Sequence, residues 1–321
     1  MESIDIPQRL QVSFSCGLLM LIYDIQDLVK VYPGQSQPVN DRITLQIDQG
    51  EIFGILGDNG AGKSTLVRQM VNLLPSSSGA IAFLGKPITT IPQIVQMNVG
   101  YMPQESGAVK NLTIAESLYF TAHLRGMSQR EACQERDRLL HQWKMTEWRN
   151  QPAARLSGGQ LRLLQLAVAM AGSLPVLILD EPTNDLDPQR RKLVWDNLRQ
   201  LNREQGTTII LITHDAIEAE KAIQRVGILH AGKLVAIGRP SDLKQQVDRM
   251  LRLELFFEPD HPPVLPPNLV CDRHAPGHWR IFLEWDQVEQ TLNGLDLNQI
   301  DDFRLYSATL EDLYLHYATQ S

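Results

Sequence analysis

Apolar residues alternate with polar ones in the first strand-like runs and become continuous in the later ones. LIYDIQDLVKVY and VNDRITLQI, within residues 21–50, show the two-residue alternation of half-buried strands and are joined by the turn-rich PGQSQP. EIFGILG (51–57), VLILD (176–180) and TTIILIT (207–213) are apolar almost throughout, which is typical of strands buried on both faces of a parallel sheet. Because helical segments separate these runs, the pattern predicts an α/β fold around a parallel sheet.

Helical periodicity fills the segments between the apolar strands. KSTLVRQMVNLL, which begins at Lys63, places leucine and methionine side chains on one face of a helix. Residues 113–116 (TIAE) and 128–131 (SQRE) have the hydroxyl and carboxylate side chains of a capping box, so each predicts a helix start. The sequence therefore predicts a helical region over about residues 105–155.

The pattern changes towards the C-terminus. RVGILHAGKLVAIG (225–238) predicts a hairpin, whereas EPDHPPVLPPN (258–268) is too rich in proline for a central strand or a helix. Strand-like LRLELFF and HWRIFLEW flank it, followed by helical DQVEQTLNGL, strand-like DFRLYSA and the capped helix TLEDLYLHYA. We therefore expect three parts: a disordered extension over residues 1–19, a core domain over 20–245 and a small accessory α+β domain over 246–321.

Composition narrows the class of protein. A length of 321 residues is enough for about two domains, and a net charge of −7 disfavours nucleic acid as a partner. The apolar run CGLLMLIY (16–23) is much shorter than the roughly 20 residues that span a bilayer, so we expect any membrane role to come through a partner. The three cysteines have no metal-ligand spacing and suggest reduced thiols in a cytosolic protein.

The segment GDNGAGKST matches the phosphate-binding pattern G-x-x-x-x-G-K-[ST] between a predicted strand and a predicted helix. Its glycines allow main-chain N–H groups to approach phosphates, and the helix N-terminus adds a favourable dipole. Lys63 is expected to neutralise β- and γ-phosphate oxygens, and Ser64 to hold Mg²⁺. We assign to this phosphate-binding loop the nucleotide-binding residues Gly57, Asp58, Asn59, Gly60, Ala61, Gly62, Lys63, Ser64 and Thr65.

Polar side chains follow the other predicted strands at the edge of the sheet where ligands bind in open α/β folds. Asp180 is expected to contact Mg²⁺ through water, and Glu181 to polarise the attacking water. His214, in LITHD, could bind the γ-phosphate, and the amide of Gln104, in YMPQE, could reach both Mg²⁺ and the water. The predicted catalytic residues are therefore Glu181, His214 and Gln104, and the predicted Mg²⁺ ligands are Ser64, Gln104 and Asp180.

A second glycine-rich helix start, LSGGQ (156–160), lies far along the chain from the first. With GDNGAGKST, Gln104, VLILDE, NDLD (184–187) and His214, it resembles the ATP-binding subunit of ABC transporters over about residues 21–245. The resemblance implies a P-loop NTPase core with a parallel sheet, an antiparallel β subdomain and a helical subdomain, here followed by the small C-terminal α+β appendage. It also implies ATP and Mg²⁺ as ligands.

The resemblance implies that two such subunits meet head to tail. Each ATP then lies between the phosphate-binding loop of one subunit and the LSGGQ segment of the other, where it meets Ser157, Gly158, Gly159 and Gln160. Tyr32, in VKVYPG, matches the aromatic residue that stacks on adenine. The chain departs from the family in having Asp58 where proline is usual, Leu163 where an arginine is common, with Arg162 adjacent, and Val168 where another arginine is common.

The ending SATLEDLYLHY (307–317) resembles the tail of ATPases that serve type-2 ABC exporters. We expect a homodimer that hydrolyses ATP on the cytoplasmic face of a membrane and drives separate transmembrane permease subunits. A residual apolar patch after Gln104, among Leu118, Tyr119, Ala122 and Leu124, is expected to receive the permease. The alternatives are an importer ATPase, and a soluble ABC ATPase acting on a ribosome or nucleic-acid complex.

Overall fold

The computed structural model describes residues 20–104, 111–213, 220, 222–247, 250–265, 269–296 and 299–319. The chain forms two compact units that divide between Ile237 and Gly238. The expected disordered extension, residues 1–19, lies outside the described residues and stays a prediction.

The first unit contains a four-stranded antiparallel sheet. Its strands, in the order β2-β1-β4-β5, are β1 (Leu21–Lys30), β2 (Asn40–Asp48), β4 (Ser78–Phe83) and β5 (Lys86–Pro87). Burial along β2 alternates, as expected for a strand with one face on the core and one in water. This sheet corresponds to the antiparallel β subdomain that the sequence predicts.

A six-stranded sheet forms the centre of the same unit. In the order β10-β9-β3-β8-β7-β6, it comprises β3 (Ile52–Leu56), β6 (Val99–Met102), β7 (Val176–Asp180), β8 (Thr208–Ile212), β9 (Arg225–His230) and β10 (Lys233–Gly238). Every residue of β3, β7 and β8 is buried, and β3 pairs in parallel with β8 and β9, as β7 does with β6 and β8. The carboxyl ends of five neighbouring parallel strands, β9, β3, β8, β7 and β6, therefore lie along one edge, and the predicted α/β class is confirmed.

The described helices of the first unit contact this sheet or one another. They are α1 (Lys63–Met70), α2 (Pro92–Asn98), α3 (Ile114–Leu124), α4 (Gln129–Gln142), α5 (Gly158–Met170) and α6 (Pro188–Gln205). The predicted capping boxes at the starts of α3 and α4 are both present. Apolar residues of α1 join one continuous core cluster with side chains from both sheets, so the phosphate-binding loop runs directly into the core.

The second unit is a separate α+β structure. Its antiparallel sheet, in the order β12-β13-β11-β14, comprises β11 (Leu251–Phe256), β12 (Val270–Ala275), β13 (His278–Leu283) and β14 (Asp302–Tyr306). Its described helices are α7 (Pro240–Val247), α8 (Val288–Gly294) and α9 (Leu310–Thr319). Alternate residues of β11, among them Leu253 and Leu255, form its core with Ile281 and Leu283.

The boundary between the units lies earlier in the chain than the one expected after residue 245. Helix α7 contacts α9, and a Cβ added at Gly238 would lie 3.2 Å from the buried side chain of Leu243. The chain from Gly238 onward therefore belongs with the second unit. Within the described ranges, no helix has the length and the apolar character needed to cross a membrane.

Candidate functional site

The loop after β3 has a main-chain path that other residues could not follow. Gly57 and Gly62 have φ values of 154° and 98°. A Cβ at Gly57 would lie 2.2 Å from the carbonyl oxygen of Leu229, and one at Gly62 would lie 2.5 Å from that of Val39. Glycine is therefore required at both positions by close backbone approach as well as by conformation.

Two further contacts hold the loop against the strands around it. The side-chain amide of Asn40, at the start of β2, donates a hydrogen bond to the carbonyl oxygen of Gly62 at 3.1 Å. The N–H of Gly232, in the β9–β10 turn, donates to the carbonyl oxygen of Ala61 at 3.2 Å. The loop is thus fixed by two tertiary bonds that the loop motif itself does not specify.

Lys63, the first residue of α1, turns its ammonium group back onto the loop. Its Nζ donates to the carbonyl oxygens of Gly57 at 2.6 Å and Asp58 at 2.9 Å, and the residue is 6% exposed. Burial lowers the pKa of Lys63, although the nearby carboxylates of Glu181, Asp180 and Asp58 oppose that shift. Its two hydrogen-bond acceptors are neutral carbonyl groups, so an anionic phosphate is a suitable further partner for the cation.

An acidic pair stands opposite the lysine at the end of β7. Ser64 Oγ donates to Asp180 Oδ2 at 3.0 Å, and Asp180 and Glu181 are 2% and 5% exposed. Burial raises the pKa of Asp180, and the hydrogen bond from Ser64 opposes that shift. Mg²⁺ is commonly held by one or two carboxylates together with substrate phosphates, so this hydroxyl and carboxylate are suitable ligands for it.

A cavity of about 370 Å³ brings these groups together. The residues that line it are Val39, Asp58, Asn59, Gly60, Gly62, Lys63, Ser64, Thr65, Gln104, Asp180 and Glu181. Gln104, which the sequence predicts to reach Mg²⁺ and the attacking water, thus lines the same cavity as the loop and the acidic pair. The Tyr32 hydroxyl lies 3.4 Å from Thr65 Oγ1, beside the cavity, and His214 lies outside the described residues.

The LSGGQ segment does not share this cavity. None of its residues is among the described residues that line the cavity, and Ser157 and Gly158 are exposed. Ser157 Oγ accepts a hydrogen bond from Gln160 N at 3.3 Å, and Gln160 Oε1 accepts one from Ser157 N at 2.9 Å, which caps α5. A methyl group at Gly158 would meet no other heavy atom within 4 Å in the described part of the chain.

Arg162, on α5, is a site residue that the sequence analysis did not assign. Its guanidinium donates to the carbonyl oxygens of Gln104 at 2.9 Å, Asp180 at 2.8 Å and Glu181, and it is 7% exposed. In the sequence, Arg162 is notable only as the neighbour of Leu163, which occupies a position where an arginine is common in the family that the sequence resembles. The sequence feature that could have indicated its role is the position of a charged residue on the apolar, buried side of the predicted helix.

Comparison with known proteins gives one consistent family. The family model described as "ABC transporter" matches residues 40–184. The Nod factor export ATP-binding protein I of Rhizobium etli is 34% identical over 239 residues, which are 74% of each chain. The retinal-specific phospholipid-transporting ATPase ABCA4 of Mus musculus is 38% identical over 220 residues, which are 68% of this chain and 9% of that protein. This chain therefore spans about a tenth of the length of the first ABCA relatives that it matches.

Solved structures share the fold of the first unit. An ATP-binding subunit of an ABC transporter has a TM-score of 0.65 at 28% identity, covering 70% of this chain and 92% of that one. The cbiO1 protein of Clostridium perfringens, part of the ABC transporter complex cbiONQ, has a TM-score of 0.63 at 28% identity, covering 71% and 92%. A dimeric ATP-binding cassette with bound ADP and Pi has a TM-score of 0.63 at 23% identity, covering 68% and 98%.

Proposed function

We propose that two copies of this chain assemble head to tail, hydrolyse ATP and power a separate membrane permease. The premise is that the chain belongs to the ABC transporter family and is an ATPase of that family. One observation carries the proposal: the phosphate-binding loop lines a cavity with the acidic pair, whereas the start of α5 is exposed away from it. A helix start with an exposed serine and glycine is suited to an anion that another molecule brings.

Within one subunit, different residues have different roles in ATP binding and hydrolysis. The buried ammonium of Lys63 and the glycine-rich main chain hold the β- and γ-phosphates of ATP. Ser64 and Asp180, with Gln104 nearby, hold Mg²⁺, which supplies neutralisation of the phosphate charge. Glu181 orients and polarises the attacking water, with His214 assigned to the γ-phosphate and Tyr32 to adenine.

The second subunit completes the site. The Ser157 hydroxyl and the first N–H groups of its α5 meet the γ-phosphate held by the other loop. ADP lacks that phosphate, so the dimer closes with ATP and opens after hydrolysis. The dimeric cassette among the similar structures shows that this fold can form a dimer, which supports the proposed pairing of two copies.

Export through a membrane partner is the direction that the relatives favour. The name of the Rhizobium etli relative describes Nod factor export, and that of the mouse relative describes phospholipid transport. We place the subunit on the cytoplasmic face of the membrane, where ATP is available.

An exposed apolar surface on α3 is the proposed docking point for the permease. Leu124 and Phe120, one helical turn apart, are 80% and 45% exposed. Of the residues named from the sequence for this patch, Leu118 and Ala122 are instead buried, because they face the inside of the helical region. The patch therefore consists of Phe120, Leu124 and the half-buried Tyr119.

The docking proposal is tested by membrane recovery. Tagged protein is expressed with and without a candidate permease encoded by an adjacent gene, and membranes are separated from the soluble fraction. Recovery in membranes only with the permease supports the proposal, and Leu124→Glu should abolish it while ATPase activity remains. Leu73→Glu, at another apolar side chain that is 66% exposed, is the matched control. Co-purification with ribosomes or nucleic acid without membrane recovery would contradict transport and favour the soluble alternative.

A further inference from the structure

We propose that Arg162 is a positioning residue. Through it, helix α5 fixes the main chain of Asp180 and Glu181, at the end of β7, relative to the main chain of Gln104. The inference rests on the proposed function, because it assigns Arg162 a part in the same ATPase site. Arg162 lies on the helix that begins with the LSGGQ segment. Its guanidinium donates hydrogen bonds to the main chain of Gln104 and Asp180, which line the cavity of the same subunit.

The guanidinium makes a set of bonds that only arginine can make. It donates to the main-chain carbonyl oxygens of Gln104, Asp180 and Glu181, and to Gln165 Oε1 at 3.2 Å. Arginine presents five N–H donors in a planar fork, whereas lysine is a compact point charge with three. A lysine at this position would keep the charge and much of the volume but could not hold the same carbonyl groups together.

The bond to Glu181 bears directly on catalysis because of the backbone at that residue. Glu181 has a φ of 52°, in the left-handed region that residues other than glycine rarely adopt. Its N–H donates to the carbonyl oxygen of Ile212 at 2.8 Å, and its own carbonyl oxygen accepts from Arg162. The two peptide groups flanking the residue are thus fixed from β8 and α5, and together they set where the carboxylate enters the cavity.

The same bonds connect the two sites of the proposed dimer. The N-terminus of α5 would contact the nucleotide held by the other subunit, whereas Arg162, further along the same helix, holds the catalytic residues of its own subunit. A displacement of α5 when ATP binds across the interface would therefore move the main chain at Glu181 and Gln104. Arg162 is the part of α5 through which one site affects the other.

Arg125 provides a matched control within the chain. This arginine follows α3, and its guanidinium donates to the carbonyl oxygens of Val168 and Ala169, each at 3.0 Å, at the far end of α5. It holds the same helix through the same kind of bond but is not itself among the described residues that line the cavity beside the phosphate-binding loop. Arg125→Lys therefore reports what loosening α5 alone does.

The experiment compares Arg162→Lys, Arg125→Lys and wild type by melting temperature, nucleotide binding, kcat, KM for ATP and the Hill coefficient. We expect Arg162→Lys to bind ATP with little change in KM, to lose about 10–100-fold in kcat, and to have a Hill coefficient nearer one. Arg125→Lys should lower the melting temperature with kcat unchanged. In a Glu181→Gln background, adding Arg162→Lys should cost little further rate, because it acts through Glu181.

Three results would overturn the proposal: an unchanged kcat in Arg162→Lys, a rate loss matched by Arg125→Lys, or a full additional loss on top of Glu181→Gln. If wild type itself hydrolyses no ATP, the proposed function fails and this inference fails with it. If wild type is active and Arg162→Lys matches it, only the role of Arg162 fails. Arg162→Gln is a second variant, but the conclusion depends on Arg162→Lys because it retains the buried charge.

Discussion

Replacing Gly158 with alanine should stabilise the protein and impair its ATPase activity. The Cβ would enter open space at the first position of α5, so folding meets no clash. Alanine is favoured over glycine in helices, and at a helix start we take a gain of about 0.5 kcal/mol, which is roughly 1–2 °C in melting temperature for a unit of this size. The substitution thus distinguishes the effect of this residue on folding stability from its effect on ATPase activity.

The activity should move in the opposite direction. If phosphate of the other subunit's ATP approaches the main chain here, a methyl group displaces it by about 1 Å, which can cost about 100-fold in rate. Steady-state ATPase activity and differential scanning fluorimetry measure the two effects on the same samples. The control is Gln129→Ala, at the exposed first position of α4, whose capping box is of the same kind. A more stable Gly158→Ala protein with normal turnover would refute the role of this segment.

Three further predictions follow from the described bonds. Lys63→Ala should weaken ATP binding about 10–100-fold in a fluorescent-nucleotide titration, because charged hydrogen bonds are lost; near-normal affinity and turnover would contradict this. Glu181→Gln should bind ATP but hydrolyse it about 10²–10⁴-fold more slowly, so the dimer with ATP and Mg²⁺ should accumulate. Elution as a monomer in gel filtration under these conditions would contradict the role of Glu181. Burial alone would raise the pKa of Glu254, but hydrogen bonds from Arg280 and Tyr306 outweigh burial and lower it. The ionised carboxylate therefore stabilises the second unit at pH values above the ordinary pKa of glutamate, and that stability is lost as pH falls below the ordinary pKa and through the lowered one. Glu254→Gln should flatten the fall in melting temperature in that range, and an unchanged profile would contradict it.

The sequence predicts elements best where one residue pattern covers a whole strand or helix. The fully apolar strands β3, β7 and β8 and the capped helices α3 and α4 were all predicted from such patterns. Strand β12, VCDRHA, was missed because it is an edge strand whose residues are mostly exposed, so its polarity does not alternate. The boundary at Gly238 was missed because it depends on the packing of α7 against α9.

The site also contains residues that the sequence predicts and residues that it does not. Loop residues such as Lys63 could be assigned because the motif is contiguous and its glycines have a backbone reason. Asn40 and Arg162 reach the site from distant parts of the chain, and a single sequence does not show which main-chain groups either side chain will contact. Phe120 was missed in the docking patch because the rotation of α3 that exposes it is set by packing against α4 and α5.

The central claim is that each ATP site contains residues of two chains, and a mixing experiment tests it most directly. Lys63→Ala and the double variant Ser157→Ala/Gly158→Asp should each be nearly inactive alone, since each homodimer carries the same defect in both sites. Mixed, they should recover clear activity, up to about a quarter of the wild-type rate, because random pairing makes half of the dimers mixed and each mixed dimer has one intact site. If ATP were hydrolysed within a single chain, mixing would restore nothing beyond the sum of the two variants, and that result would contradict the account.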